Sequence, residues 1–278
     1  MTKKFSSLLL VAATATLVVS LTACGSGNAG SAGEHAASGK LTIGVGVDRP
    51  GVGIKNPDGT YSGFDIDTAT FIAGKLGVAP SGITWKEAPS AQRETLLQNG
   101  QVDLVVSLYS ITDSRKEKVD FAGPYLTGGQ SLLVRTDDNT ITGTDSLNGG
   151  KRLCAPTGSV AAQNIKNKYS KDVQLQQYDT NGACVEALKN GAVDAVTTDD
   201  LILAGYAASS HGRLKLVGAP FTVEKYGIGI KKGDNDTRAK VNDAIEAYIK
   251  EGAWQKAFDV NFGASGYRAP QAPTVDRY

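Results

Sequence analysis

Three arginines, one carboxylate and a set of hydroxyls stand just past short apolar runs. Arg49 follows the run 41–47, and Ser90 and Arg93 follow 83–87. Leu108, Ser110 and Arg115 follow 102–106. Thr157 and Ser159 follow 152–155, where a helix opens, and Asp199 follows 193–197. An arginine fork meets a carboxylate through two parallel N–H bonds. A helix N-terminus offers free amide groups to an anion. A carboxylate answers an ammonium. Three arginines and one aspartate sum to +2. The set suits an amino acid whose side chain carries a second carboxylate. Asp65 and Asp67 are read as charging the start of a helix rather than as site residues.

The apolar runs read as strands that alternate with helices, which implies a largely parallel sheet. In such sheets ligands sit beyond the carboxyl ends of the strands, where the inventory above lies. The segment 97–105 matches 188–196 at six of nine positions, 91 residues apart. Each copy is a helix end, a glycine stop (Gly100, Gly191) and an apolar strand. One unit used twice implies an α/β fold of two similar lobes, each a mostly parallel sheet flanked by helices. Two β-rich stretches near glycines, 128–135 and 226–231, are expected to join the lobes as hinge strands. The first lobe then comprises 40–127 and 228–278, and the second 128–227. Two lobes with two linkers can close around a ligand.

The N-terminus carries Lys3 and Lys4, an apolar run 5–21 and small residues before Cys24. This is the pattern of a secretory signal over 1–23. The sequence Leu21-Thr22-Ala23-Cys24 resembles a bacterial lipobox, which would make Cys24 the acylated first residue of a membrane-anchored protein. Residues 24–39, rich in Gly, Ser and Ala, are expected to be a flexible tether. Losing 1–23 takes the formal charge from +1 to −1, so no basic field for nucleic acid is expected. Cys154 and Cys184 remain as an even pair in an oxidising compartment, either bridged or buried as free thiols. The two histidines, His35 and His211, suggest no triad, and no cysteine–histidine cluster has metal spacing. Neither a cofactor nor a metal is expected.

Longer motifs carry a resemblance. Gly63-Phe-Asp-Ile-Asp67 is similar to a GFDxD motif. Ser110-Ile-Thr-Asp-Ser-Arg115, followed by Val119-Asp-Phe-Ala-Gly-Pro-Tyr125, resembles an SxTxxR…DFxxPY signature. Both belong to the family-3 extracellular solute-binding proteins, the amino-acid receptors of ABC importers, and the resemblance spans 40–262. It implies roles for single residues. Arg115 would clamp the ligand α-carboxylate beside Ser110, and the Leu108 backbone would accept from the amino group. Asp199 would take the α-ammonium, with Thr157 and Ser159 in a turn at the anion. Arg49 and Arg93, with Ser90 nearby, would hold a side-chain carboxylate. The implied function is capture of L-glutamate or aspartate by a monomer that delivers it to an ABC permease. Glutamine or another polar amino acid is the first alternative. A cyclohexadienyl dehydratase-like enzyme is the second, and an enzyme is not expected.

Overall fold

The computed structural model describes residues 30–169 and 172–278. The signal segment and Cys24 lie outside these residues. The first element is a helix, α1 (Ala32–Ala37), which replaces the expected tether at 32–37, while residues 24–29 of that tether lie outside those described. The Ser31 hydroxyl accepts from the Glu34 amide, and the Glu34 carboxylate accepts from the Ser31 amide. This reciprocal capping box starts the helix. Ala32 and Ala36 are buried, and His35 Nδ1 lies 2.6 Å from Asp103 Oδ1. Small residues thus dock a helix that composition alone reads as linker.

The first lobe begins with β1 (Leu41–Val45). A ribbon follows, made of β2 (Asp48–Arg49), β3 (Gly53–Lys55) and β4 (Tyr61–Ser62). Next come α2 (Phe64–Lys75), β5 (Ile83–Glu87), α3 (Arg93–Gln98), β6 (Leu104–Ser110), α4 (Asp113–Lys116) and β7 (Val119–Gly128). The second lobe holds β8 (Gln130–Arg135), β9 (Arg152–Pro156), α5 (Val160–Asn164) and β10 (Gln174–Tyr178). It continues with α6 (Asn181–Lys189), β11 (Ala195–Asp199), α7 (Asp200–Ser209) and β12 (Leu214–Val217). The chain returns to the first lobe as β13 (Glu224–Lys231), α8 (Asn235–Lys250) and α9 (Ala253–Phe262).

The two five-stranded sheets share one plan, β5-β1-β6-β13-β7 and β10-β9-β11-β8-β12. In each, the fourth strand arrives from the other lobe and runs antiparallel to its neighbours. The first three strands of each order keep the parallel pairing expected of alternating β and α segments. Every residue of β6 is buried, which is why that strand reads as a continuous apolar run. The repeated motif does one structural job twice. The Asp103 amide donates to Thr42 O while its carboxylate accepts from the Thr42 amide. Asp194 does the same to Arg152 in the second lobe. Each aspartate therefore registers the third strand in its sheet's order, β6 or β11, against the second, β1 or β9.

The crossings lie side by side. Gly129 alone separates β7 from β8, and residues 218–223 separate β12 from β13. The Gln130 amide donates to Thr222 Oγ1 at 2.8 Å, and the Phe221 amide to Gln130 O at 2.9 Å. The second crossing ends before the expected boundary at 228, because Glu224 already pairs with Gly128 of β7. The tail after α9 runs back along the first lobe. There the Asp276 amide donates to Gly123 O and the Phe121 amide to the Tyr278 hydroxyl. Of the two tryptophans read as core, Trp254 is buried and donates to Tyr125 O at 2.8 Å, whereas Trp85 is half-buried against Tyr61.

Cys154 of β9 and Cys184 of α6 are bridged, with Cα atoms 5.5 Å apart and a sequence separation of 30. The bridge ties the strand that feeds the Thr157–Ser159 turn to the helix that opens at the cleft. Replacing both cysteines by serine is expected to cost about 3 kcal/mol of unfolding free energy in urea titration. A loss below about 1 kcal/mol would mean that the bridge closes no loop the fold needs closed.

Candidate functional site

A small polar cavity lies between the lobes. The first lobe lines it with Arg49, Ser90, Arg93, Leu108, Ser110 and Arg115. The second contributes Ser159, Val160, Ala161, Asn181, Thr198, Asp199 and Ile202. Eight of the nine ligand-binding residues expected from sequence thus meet at one place. The ninth, Thr157, does not. Its hydroxyl donates to Tyr178 O, and it lines a separate opening with Glu87, Pro89 and Asp179. Gly158, at φ +73°, turns the chain between them so that Ser159 faces the cavity instead.

Strand ends and helix starts place these groups. Arg115 sits in α4, whose Thr112 cap accepts from the Arg115 amide. Its guanidinium donates to Ser110 O at 2.9 Å and crosses the cleft to Gly158 O at 3.3 Å. Glu94 lies 3.4 Å from Arg115 Nε. Arg93 and Arg115 both rest on the Tyr109 ring, 5.2 and 4.8 Å from its centre. A desolvated cation over an aromatic face gains about 2 kcal/mol. Tyr109 is fully buried, so this platform cannot tilt into water.

Arg49 and Arg93 also line the first-lobe wall of the cavity. Both are buried, and burial is the main reason the Arg93 guanidinium falls to about 9, followed by the charges of Arg49 and Arg115. Asp48 Oδ1, at 3.8 Å from Nε, is a distant partner for Arg49. Among the described residues Arg93 has no carboxylate in ion-pair range, and the buried Arg49 Nε has no hydrogen-bond partner. Two buried cations left this way favour an anion between them.

Asp199 ends β11 and faces the cavity, while Asp200 turns away. Tyr226 of β13 donates to Asp199 Oδ1 at 2.8 Å. Asp200 instead accepts from the Gly129 and Leu201 amides and from the Tyr267 hydroxyl. Removal from water pushes Asp199 up to about 7, against the Tyr226 bond, and the charges of Glu224 and Asp200 push the same way.

Asp65 has a use that its helix position hides. It starts α2 behind Gly63, but no side chain caps that helix. Its carboxylate accepts from the Tyr125 hydroxyl at 2.6 Å, and that hydroxyl accepts from the Leu108 amide at 3.1 Å. Burial lifts Asp65 to about 6. The relay holds Leu108 at φ +39°, a left-handed conformation that leucine rarely adopts. Leu108 therefore lines the cavity with an imposed backbone orientation.

Sequence reasoning passed over Asn181, Thr198, Ala161 and Ile202. Asn181 is buried, and its Oδ1 has no partner among the described residues. It is the first residue of the helix after β10, directly after its Thr180 cap.

The lobes are in contact around the cavity. Asp48 Oδ2 accepts from the Gly182 amide at 2.7 Å, and the Tyr206 hydroxyl donates to Asp48 O. With the Arg115–Gly158 bond, these contacts describe a closed cleft. The family profile of bacterial extracellular solute-binding proteins, family 3, matches residues 41–264. The chain belongs to this family. Relatives of the family-3 chain include the glutamate-binding protein GluB of Corynebacterium efficiens, 45% identical over 91% of this chain and 90% of that one. The glutamine-binding protein GlnH of Bacillus subtilis is 35% identical over 92% of this chain and 96% of its own. Among solved structures, an ancestral arginine-binding protein bound to glutamine is similar at TM-score 0.75 and 34% identity. The match covers 81% of this chain and 98% of that one. Family-3 proteins are two-lobed, and the paired sheets here have that form. Among the described residues no helix is long and apolar enough to cross a membrane.

Proposed function

We propose that this family-3 protein captures L-glutamate in the closed cleft and hands it to an ABC permease. The observation that carries the reading is the buried pair Arg49 and Arg93, which has no close carboxylate among the described residues. Arg115, with Ser110 beside it, takes the α-carboxylate, and Asp199 takes the α-ammonium. The γ-carboxylate then falls between Arg49 and Arg93. Glutamine would put a neutral amide there and leave buried cations unpaired. Aspartate, one methylene shorter, is the nearest rival. One relative is named for glutamate and another for glutamine, so the arginine pair of this chain carries the choice between the two readings.

Closing brings Arg115 of the first lobe and Asp199 of the second onto one ligand. Ligand thus favours the closed state through contacts the open state lacks. Binding without turnover is the proposed role, and a cyclohexadienyl acid incubated with the protein is expected to be recovered unchanged. Cys24 is proposed to carry a lipid anchor that holds a monomer at the outer face of the cell membrane. Cys24→Ser should release the protein into the medium.

The test is calorimetric titration of residues 30–278, which keep α1, after unfolding and refolding to strip bound ligand. L-glutamate, L-aspartate, L-glutamine and L-histidine are compared. Glutamate is expected to bind at least about tenfold more tightly than glutamine, a gap of about 1.4 kcal/mol. Equal or tighter glutamine binding would overturn the acidic-side-chain pocket.

A further inference from the structure

Ser107 does not line the cavity, yet both side-chain arginines rest on it. It sits in β6, fully buried, with apolar residues on either side in sequence. Arg49 Nη1 donates to Ser107 Oγ at 3.0 Å and to Ser107 O at 3.1 Å. Arg93 Nη2 donates to the same Oγ, also at 3.0 Å. One hydroxyl oxygen has two acceptor sites, and here each meets a guanidinium. Few other contacts hold the pair. Arg93 has a longer bond to Ala88 O, at 3.3 Å, and the Tyr109 ring below it. Arg49 folds back against Gly46, where an added Cβ would lie 2.9 Å from the guanidinium carbon.

We infer that Ser107 is a positioning residue for ligand specificity. Its oxygen holds Arg49 and Arg93 side by side, aimed at the site of the ligand side-chain carboxylate. Two like charges in a buried place repel, and each would rotate toward water or toward Asp48 if released. A shared acceptor offsets part of that repulsion and fixes both forks at once. Ser107 reaches no ligand atom itself, so its effect passes entirely through the two arginines. Among the described residues Arg115 and Ser110 make no hydrogen bond to it, and Arg115 Nη1 donates to Ser110 O instead. Its removal therefore weakens the grip on a side-chain carboxylate while the grip on the amino-acid backbone stays.

This inference rests on the glutamate reading, and the test separates the two. Ser107→Ala, Ser107→Thr and Ser107→Val are titrated with L-glutamate and L-glutamine beside the unaltered protein. Thr and Val have nearly the same shape and differ in the hydroxyl, so that pair isolates the oxygen even if alanine disturbs packing. Loss of the hydroxyl in Ala and Val is expected to weaken glutamate by about tenfold and glutamine by less than about threefold, with the ratio restored in Thr. A purely structural role would weaken both ligands alike and leave the ratio unchanged. That result, or equal ratios in Thr and Val, overturns the inference. An unaltered protein that fails to prefer glutamate overturns the glutamate reading instead.

Discussion

Arg115→Ala is expected to weaken glutamate binding by about 3–4 kcal/mol, two to three orders of magnitude in Kd. The size follows from where the residue sits. Its guanidinium is buried on the Tyr109 ring, bonded to Ser110 O and reaching Gly158 across the cleft. A ligand carboxylate left without this fork is buried and unpaired. Arg115→Lys keeps the charge but loses the planar fork, so it should fall between the two. Glutamine should lose as much as glutamate, because the α-carboxylate is common to both. Calorimetry at unchanged melting temperature gives the numbers. A loss under about tenfold would remove Arg115 from the clamp.

Glutamate affinity is expected to fall as pH drops below about 7. Asp199 is pushed up to about 7 in the closed cleft, chiefly by removal from water and then by Glu224 and Asp200, while Tyr226 and Arg49 oppose this. A ligand ammonium beside it favours the charged carboxylate, so its pKa is lower in the complex. The complex therefore holds fewer protons than the empty protein between those two values. Binding releases a proton there, and affinity rises with pH up to about 7 and is flat above it. The slope is at most about tenfold per pH unit. Asp199→Asn should bind weakly and without this slope. Titrations at pH 5.5 and 7.5 in buffers of different ionisation heat measure both the affinity and the proton count. An affinity independent of pH would mean that Asp199 does not meet the ammonium.

Much of this site is written at the ends of strands. Arg49, Arg93, Arg115 and Asp199 follow apolar runs that become parallel strands, and the topology gathers those ends. The repeat around Asp103 and Asp194 was legible for the same reason, since one aspartate performs one bond pattern in each sheet. Thr157 and Ser159 were not separable by type, because only the turn at Gly158 determines which hydroxyl faces inward. Asn181 and Ile202 carry no charge and stand in helices with ordinary composition. The helix α1 was hidden by its small residues, though Ser31 and Glu34 stand at capping-box spacing. Ser107 was invisible as a site residue because it never reaches the cavity.

The central claim is that a side-chain carboxylate sits between Arg49 and Arg93. The direct measurement is a crystal structure of the protein with L-glutamate bound. The expected result places the γ-carboxylate about 3 Å from both guanidinium groups, the α-carboxylate on Arg115 and the ammonium on Asp199. A ligand whose side chain points away from the Arg49–Arg93 pair, or whose α-carboxylate occupies it, would contradict the claim.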